Sequence, residues 1–160
     1  MSKWSWSSAA NAVVHEYSRR PLSTPHNYSP LQQHQKLLIT GPSDDGIGAE
    51  KGLCLASQPP STIILAGRNR TRIQLVIEKI THTSLALKTV PIVLDLSDLP
   101  SVRAAANKIN GYIDHIDVLA SNAAVMSYPC SATKDGLEVQ FGTNIFGPSL
   151  FTGFVSPQVS

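Results

Sequence analysis

Residues Leu37–Glu50, reading LLITGPSDDGIGAE, constrain the fold more than any other stretch of the chain. A short apolar run, a glycine turn and a helix start follow one another there, the order of a phosphate-binding strand, loop and helix. The first N–H groups of a helix have no intrahelical acceptor, and the helix dipole adds positive charge at that end. A pyrophosphate is therefore well placed beside them. Gly41 suits the backbone angles of a tight turn, Gly46 lets a phosphate approach the backbone, and Gly48 lets the helix pack closely on the strand. Taken alone, the same letters also describe an ordinary glycine-rich turn.

The residues that follow repeat a strand–helix alternation, βαβαβαβ, that can be read from hydrophobic period. Lys36–Thr40 is the first strand. The first helix starts near Gly46, places Ala49, Leu53 and Ala56 on one face, and stops before Pro59–Pro60. Ser61–Gly67 is a continuous β-branched and apolar run, the pattern of a parallel strand covered on both faces. Ile73, Val76, Ile77 and Ile80 form the stripe of a second helix, and Thr89–Leu94 is the third strand. The third helix opens at Ser97 or Asp98 as N-cap, carries Pro100 in its first turn, and presents Val102, Ala105, Ala106 and Ile109. Ile116–Ala120 is the fourth strand. This alternation predicts an α/β fold with right-handed crossovers and a ligand crevice at the carboxyl ends of the strands.

Five segments in this order resemble the short-chain dehydrogenases/reductases, most closely their retinol-dehydrogenase-like and fungal members. They are TGPSDDGIG at Thr40–Gly48, AGRN at Ala66–Asn69, LDLSD at Leu94–Asp98, DVLASNAAVM at Asp117–Met126 and DGLEVQFGTNIFG at Asp135–Gly147. The likeness runs from about Lys36 to Thr152. It implies a Rossmann-type doubly wound parallel sheet, truncated after about four strands. Residues 36–160 are then an incomplete NAD(P)-binding domain behind a flexible arm formed by residues 1–35.

The resemblance also implies a role for each segment. Gly41, Ser43, Gly46, Ile47 and Gly48 would line the pyrophosphate, with the Ser43 hydroxyl free to donate to it. Asp95 and Leu96 would hold the adenine, with a turn aspartate and a core leucine as the plainer reading. Asn122, Ala123 and Ala124 would support the fourth strand and pass beside the cofactor. Asn144 matches the catalytic asparagine that organises a proton relay through water. Arg68 and Asn69 follow the second strand with no carboxylate to accept from a ribose 2′-hydroxyl. A guanidinium there suits a 2′-phosphate, so NADP is expected as cofactor over NAD. The competing reading of Arg68 is a solvated residue at a helix start.

The family's tyrosine, the lysine four residues after it and its upstream serine are missing. Positions four after Tyr17, Tyr28, Tyr112 and Tyr128 are Pro21, Gln32, Ile116 and Ala132. General acid catalysis contributes roughly 10²–10⁴-fold, so these residues by themselves are not expected to turn over a carbonyl or alcohol substrate. Three departures stand inside the matched region. Asp44 and Asp45 bring carboxylates close to the expected pyrophosphate, Ala124 adds a Cβ beside the cofactor, and Pro148 removes a donor from a helix. The readings are a hydride-transferring oxidoreductase of which this is the cofactor-binding half, an inactive dinucleotide-binding module, or a fold remnant without ligand.

A net charge of +2 with 15% charged residues leaves no footprint for nucleic acid. No run approaches the roughly 18 apolar residues of a membrane span. Cys54 and Cys130 lack CxxC spacing and read as a buried core thiol and a free loop thiol, suited to a reducing compartment. The five histidines show no ligand spacing, so no metal is expected. The expected location is cytoplasmic. The Ser- and Arg-containing arm leaves a mitochondrial transit segment as the alternative.

Overall fold

The computed structural model describes residues 35–57, 60–126 and 129–155. The arm expected over residues 1–35 lies outside them save for Gln35, as does Pro59. The elements are β1 (Lys36–Thr40), α1 (Ile47–Ala56), β2 (Thr62–Gly67), α2 (Arg70–Thr83), β3 (Lys88–Val93), α3 (Leu99–Tyr112), β4 (Val118–Ala120), a single turn α4 (Val139–Phe141), a π-helical turn (Gly142–Phe146) and α5 (Gly147–Val155). The strands form one parallel sheet in the order β3-β2-β1-β4. The order reverses direction at β1, so a crevice opens above the carboxyl ends of β1 and β4.

Period-two alternation in the two central strands sorts their side chains onto opposite faces. Leu38, Ile64, Ala66 and Ile92 pack with Val102, Ala105, Ala106 and Ile109 of α3 and with Phe151 and Val155 of α5. Leu37, Ile39, Ile63 and Leu65 pack with Ala49 and Ala56 of α1 and with Ile73, Val76, Ile77 and Ile80 of α2. The continuous apolar run of β2 is thus covered on both sides, as expected of a parallel strand. Pro91 is accommodated because β3 is an outer strand of this sheet. No helix among the described residues is long and apolar enough to cross a membrane.

Element ends differ from expectation by one or two residues, each for an identifiable reason. β4 begins at Val118 rather than Ile116. The Asp117 carboxylate takes the Lys36 N–H at 2.6 Å while its own N–H donates to the Lys36 carbonyl at 2.9 Å, and Ile116 is buried just before it. The start expected near Gly46 falls there, with Gly46 as the N-cap of α1, and of the two caps expected for α3 it is Asp98 that accepts from Ser101 N–H. Cys54 corrects the expectation of a core thiol. The buried side of α1 carries Gly48, Ala49, Gly52 and Ala56, so Cys54 faces outward and is exposed. Pro148 does not break the helix either. The chain widens into a π turn, closed by Gly147 N–H donating to Gly142, and Pro148 falls in the first turn of α5, where its missing donor is least needed.

Three carboxylates titrate below their ordinary range. A hydrogen bond from the Lys36 ammonium draws Asp114 down to about 2, one from Lys134 lowers Asp98, and the N–H groups of Gln140 and Phe141 lower Glu138. Folded values below unfolded ones mean that this stabilisation is complete above about pH 4 and is lost as the pH falls through the folded values. The melting temperature is expected to drop between pH 4 and pH 2. In Asp114→Asn the protein should melt lower at neutral pH and lose less on acidification. A wild-type melting temperature that stays level over that interval would contradict this.

Candidate functional site

The segment after β1 turns sharply because Gly41 adopts a φ of +68°, open to glycine at little cost, while its N–H donates to Ala66 on β2 at 2.8 Å. A Cβ on Gly41 would lie 2.7 Å from the Ala123 Cα, so the loop after β1 and the loop after β4 touch backbone to backbone. Ser43 N–H returns to Gly41 carbonyl and Gly46 N–H to Ser43 carbonyl, winding residues 41–46 into a compact loop against the start of α1. A Cβ on Gly46 would meet Ser43 Oγ at 2.5 Å. One on Gly48 would meet the Gly41 carbonyl oxygen at 2.5 Å. Gly48 thus admits the loop itself, in addition to any helix–strand approach. Among the described residues the N–H groups of Ile47 and Gly48 have no hydrogen-bond acceptor.

The two loops are held together by Thr40 and Asn122. The buried Thr40 hydroxyl accepts from the N–H groups of Asn122 at 2.9 Å and Ala123 at 3.1 Å. The Asn122 carboxamide donates to the carbonyls of Thr40 and Gly41 at 3.1 and 3.3 Å. Asn144 performs a matching task one loop further on. Its oxygen accepts from Val125 N–H at 2.8 Å and its nitrogen donates to the Val125 carbonyl at 2.7 Å, so both ends of the side chain are used in fixing the segment after β4. Pro148 has no N–H, and the Asn144 carbonyl therefore lacks the helical donor that would stand four residues on.

These elements enclose a cleft of about 380 Å³ above the carboxyl ends of β1, β2 and β4. Of the residues expected at a cofactor, Gly41, Ser43, Ile47, Arg68, Asn69, Leu96, Asn122, Ala123 and Ala124 line it. Gly46, Gly48 and Asp95 are not among its lining residues. Asp95 accepts from the N–H and hydroxyl of Ser97 at 2.9 and 2.6 Å, which ties down the turn after β3. Asn144 does not line it either, and its neighbour Thr143 does. The Thr143 hydroxyl is buried with no hydrogen-bond partner. Arg72 and Val125 line the cleft too and escaped the sequence reading. Arg72 had a readable signal, its place one turn after Arg68, whereas Val125 and Thr143 are brought in by packing alone.

Charge around the cleft is one-sided. Asp44 turns to the Lys79 ammonium of α2 at 2.5 Å, Asp45 lies 3.9 Å from it, and neither carboxylate lines the cleft. The Asp44 hydrogen bond correspondingly raises the Lys79 pKa. Arg68 and Arg72 have no carboxylate partner among the described residues. The Asn69 side-chain oxygen accepts from Arg72 N–H at 3.1 Å and caps α2.

A family model described as short chain dehydrogenase matches residues 35–160. The chain belongs to that family. It is 34% identical to retinol dehydrogenase 13 of Mus musculus over 119 residues, covering 74% of this chain and 35% of the relative. Against retinol dehydrogenase 11 of Homo sapiens the identity is 35% over 134 residues, with 84% and 42% covered. The chain therefore spans less than half the length of these curated relatives. Among solved structures, a protein from Mycobacterium paratuberculosis superposes with a TM-score of 0.69 at 30% identity, covering 82% of this chain and 45% of the other. A metagenomic short-chain oxidoreductase solved in complex with NADP gives 0.68 at 23% identity, covering 81% and 57%, and shares the fold. The short-chain dehydrogenase likeness expected from the five segments thus holds, with the partial Rossmann-type sheet that it implied.

Proposed function

We propose that the cleft holds NADP(H) and that the chain is the cofactor-binding part of a short-chain oxidoreductase acting on a small carbonyl or alcohol. The observation that carries the reading is Arg68, lining the cleft at the end of β2 with no carboxylate beside it. A ribose 2′-hydroxyl would want an acceptor there, whereas a 2′-phosphate wants this guanidinium. The loop fits the rest of a dinucleotide. Its glycines leave no Cβ over the turn, the Ile47 and Gly48 N–H groups are unengaged, and both loop aspartates are directed to Lys79. Leu94, Leu96 and the Thr143 methyl and hydroxyl offer a mostly apolar wall suited to an adenine.

When bound, the nicotinamide supplies or accepts a hydride. Gly41, Ser43 and Ile47 would hold the pyrophosphate, and Asn122 and Thr40 would keep the loop in place. Asn144 would fix the segment beside the nicotinamide ribose by its two hydrogen bonds to Val125. One observation favours a second reading for these 160 residues as an isolated polypeptide. No tyrosine is followed four residues later by lysine, so the isolated chain would bind the dinucleotide without protonating a substrate.

Titration of the purified chain with NADPH and NADH, followed by cofactor fluorescence and thermal shift, tests the reading. NADPH is expected to bind at least 10-fold tighter than NADH, and Arg68→Ala to remove most of that difference, as fits a charge-assisted hydrogen bond of about 1.5–3 kcal/mol. Equal affinities in the wild type, or an unchanged ratio in Arg68→Ala, would refute it.

A further inference from the structure

The loop that would hold the pyrophosphate carries negative charge of its own. Asp44 and Asp45 lie between Gly41 and Gly46, and Glu50 stands in the first turn of α1, so three carboxylates flank the helix start where an anion would dock. Like charges at such range repel, and more strongly where water is excluded. Among the described residues, Lys79 is the one cation paired with either aspartate. Its ammonium reaches from α2 to within 2.5 Å of Asp44 and 3.9 Å of Asp45. The Asp44 hydrogen bond, with smaller pulls from Asp45 and Glu50, raises the Lys79 pKa and keeps the group charged. The loop backbone is bent to suit. Asp45 holds a φ of +59°, in the left-handed region that costs a residue with a Cβ, and its carboxylate is 92% exposed. Neighbouring side chains of one loop are thereby sorted: Ser43 lines the cleft, whereas Asp44 and Asp45 turn to α2.

We infer that Lys79 is a positioning residue for dinucleotide binding, which holds and neutralises Asp44 and Asp45 from α2 and so keeps their charge off an anion at the start of α1. The inference rests on the dinucleotide reading above. Lys79 does not line the cleft and touches no ligand in this account. Its role exists only because the loop is acidic, and that gives the inference a signature. Removing the lysine alone leaves two carboxylates uncompensated beside the docking point and weakens binding. Removing the lysine and both carboxylates together restores binding, since nothing remains to be neutralised. A mechanical clamp on the loop would behave in the opposite way, because the clamp is equally lost in both cases.

NADPH and NADH would be titrated against the full 160-residue chain, Lys79→Met, Lys79→Arg and the triple variant Asp44→Asn/Asp45→Asn/Lys79→Met, with thermal denaturation showing that each folds. Methionine keeps the length and helix preference of the half-exposed lysine, and asparagine accepts the left-handed backbone of position 45. Lys79→Met is expected to weaken both cofactors about 5-fold at low ionic strength, by similar factors because both carry the pyrophosphate. At about 1 M salt, where the screening length is about 3 Å, the loss should fall below about 2-fold. Lys79→Arg should bind as wild type does, and the triple variant should return to within about 2-fold of it. Lys108→Met removes the same charge from an exposed position on α3 and should change nothing.

Wild-type affinity in Lys79→Met would overturn the inference. So would a triple variant as weak as Lys79→Met, which would make Lys79 a mechanical clamp, or an equal loss in Lys108→Met, which would make the effect one of net charge. In each of these cases the dinucleotide reading stands. A folded wild type that binds neither cofactor overturns both.

Discussion

Replacing Gly41 by alanine is expected to destabilise the protein by about 3 kcal/mol and to abolish measurable dinucleotide binding. Two effects coincide at this position. The φ of +68° costs an L-residue about 1–2 kcal/mol, and the added methyl would stand 2.7 Å from the Ala123 Cα, where backbone rather than a movable side chain must give way. Relief requires the loops after β1 and β4 to separate, which pulls Asn122 and Ala123 from the Thr40 hydroxyl and opens the cleft floor. Chemical denaturation would measure the stability change and NADPH titration the loss of binding. A variant that melts within a degree of wild type would show that the loops are not in register as described.

Truncating Ile64 to alanine is expected to cost about 2–5 kcal/mol, the range for large-to-small changes in a packed core. Ile64 is buried at the centre of β2 among Leu38, Ile92 and the α3 stripe, where the sheet cannot collapse into the space left behind. Leu85, 88% exposed, is the matched control, and Leu85→Ala should leave the denaturation midpoint nearly unmoved. A small Ile64 effect would mean that the α3 and α5 layer is loosely seated on the sheet.

The strands, the helices and their buried stripes were legible because each rests on local rules. Ile73, Val76, Ile77 and Ile80 can face one side of a helix in only one way, and the unbroken apolar run of β2 has to be covered on both faces. The glycine turn was legible for the same reason, since a glycine directly after an apolar strand suits a tight turn, and Gly41 takes its positive φ there. Where local rules compete, the reading slipped. Cys54 lies beside the stripe of α1 rather than on it, and a single apolar letter does not say which. Pro148 signalled a break, but the turn before it could widen and place the proline where a helix tolerates it.

The site divides along the same line. Asp44 and Asp45 looked adverse because sequence separation hides Lys79, 35 residues from Asp44, which α2 brings to them. Asn144 carried a role from resemblance, and the structure adds that its side chain is spent on Val125. Thr143 and Val125 became wall residues only once the π turn was packed against the sheet.

By itself the sequence determined the α/β alternation, the phosphate-type loop at Gly41–Gly48 and the family, since each is set by residues adjacent in the chain and by backbone preferences that act over a few positions. The tertiary structure alone decided the direction of the loop carboxylates, the Thr40–Asn122 clasp between two loops 82 residues apart, and the meeting of Val125 and Thr143 with Arg68 in one cleft wall. Those depend on which surfaces meet once the apolar stripes are buried, and the free energy that selects them comes from the whole core rather than from any neighbouring residue.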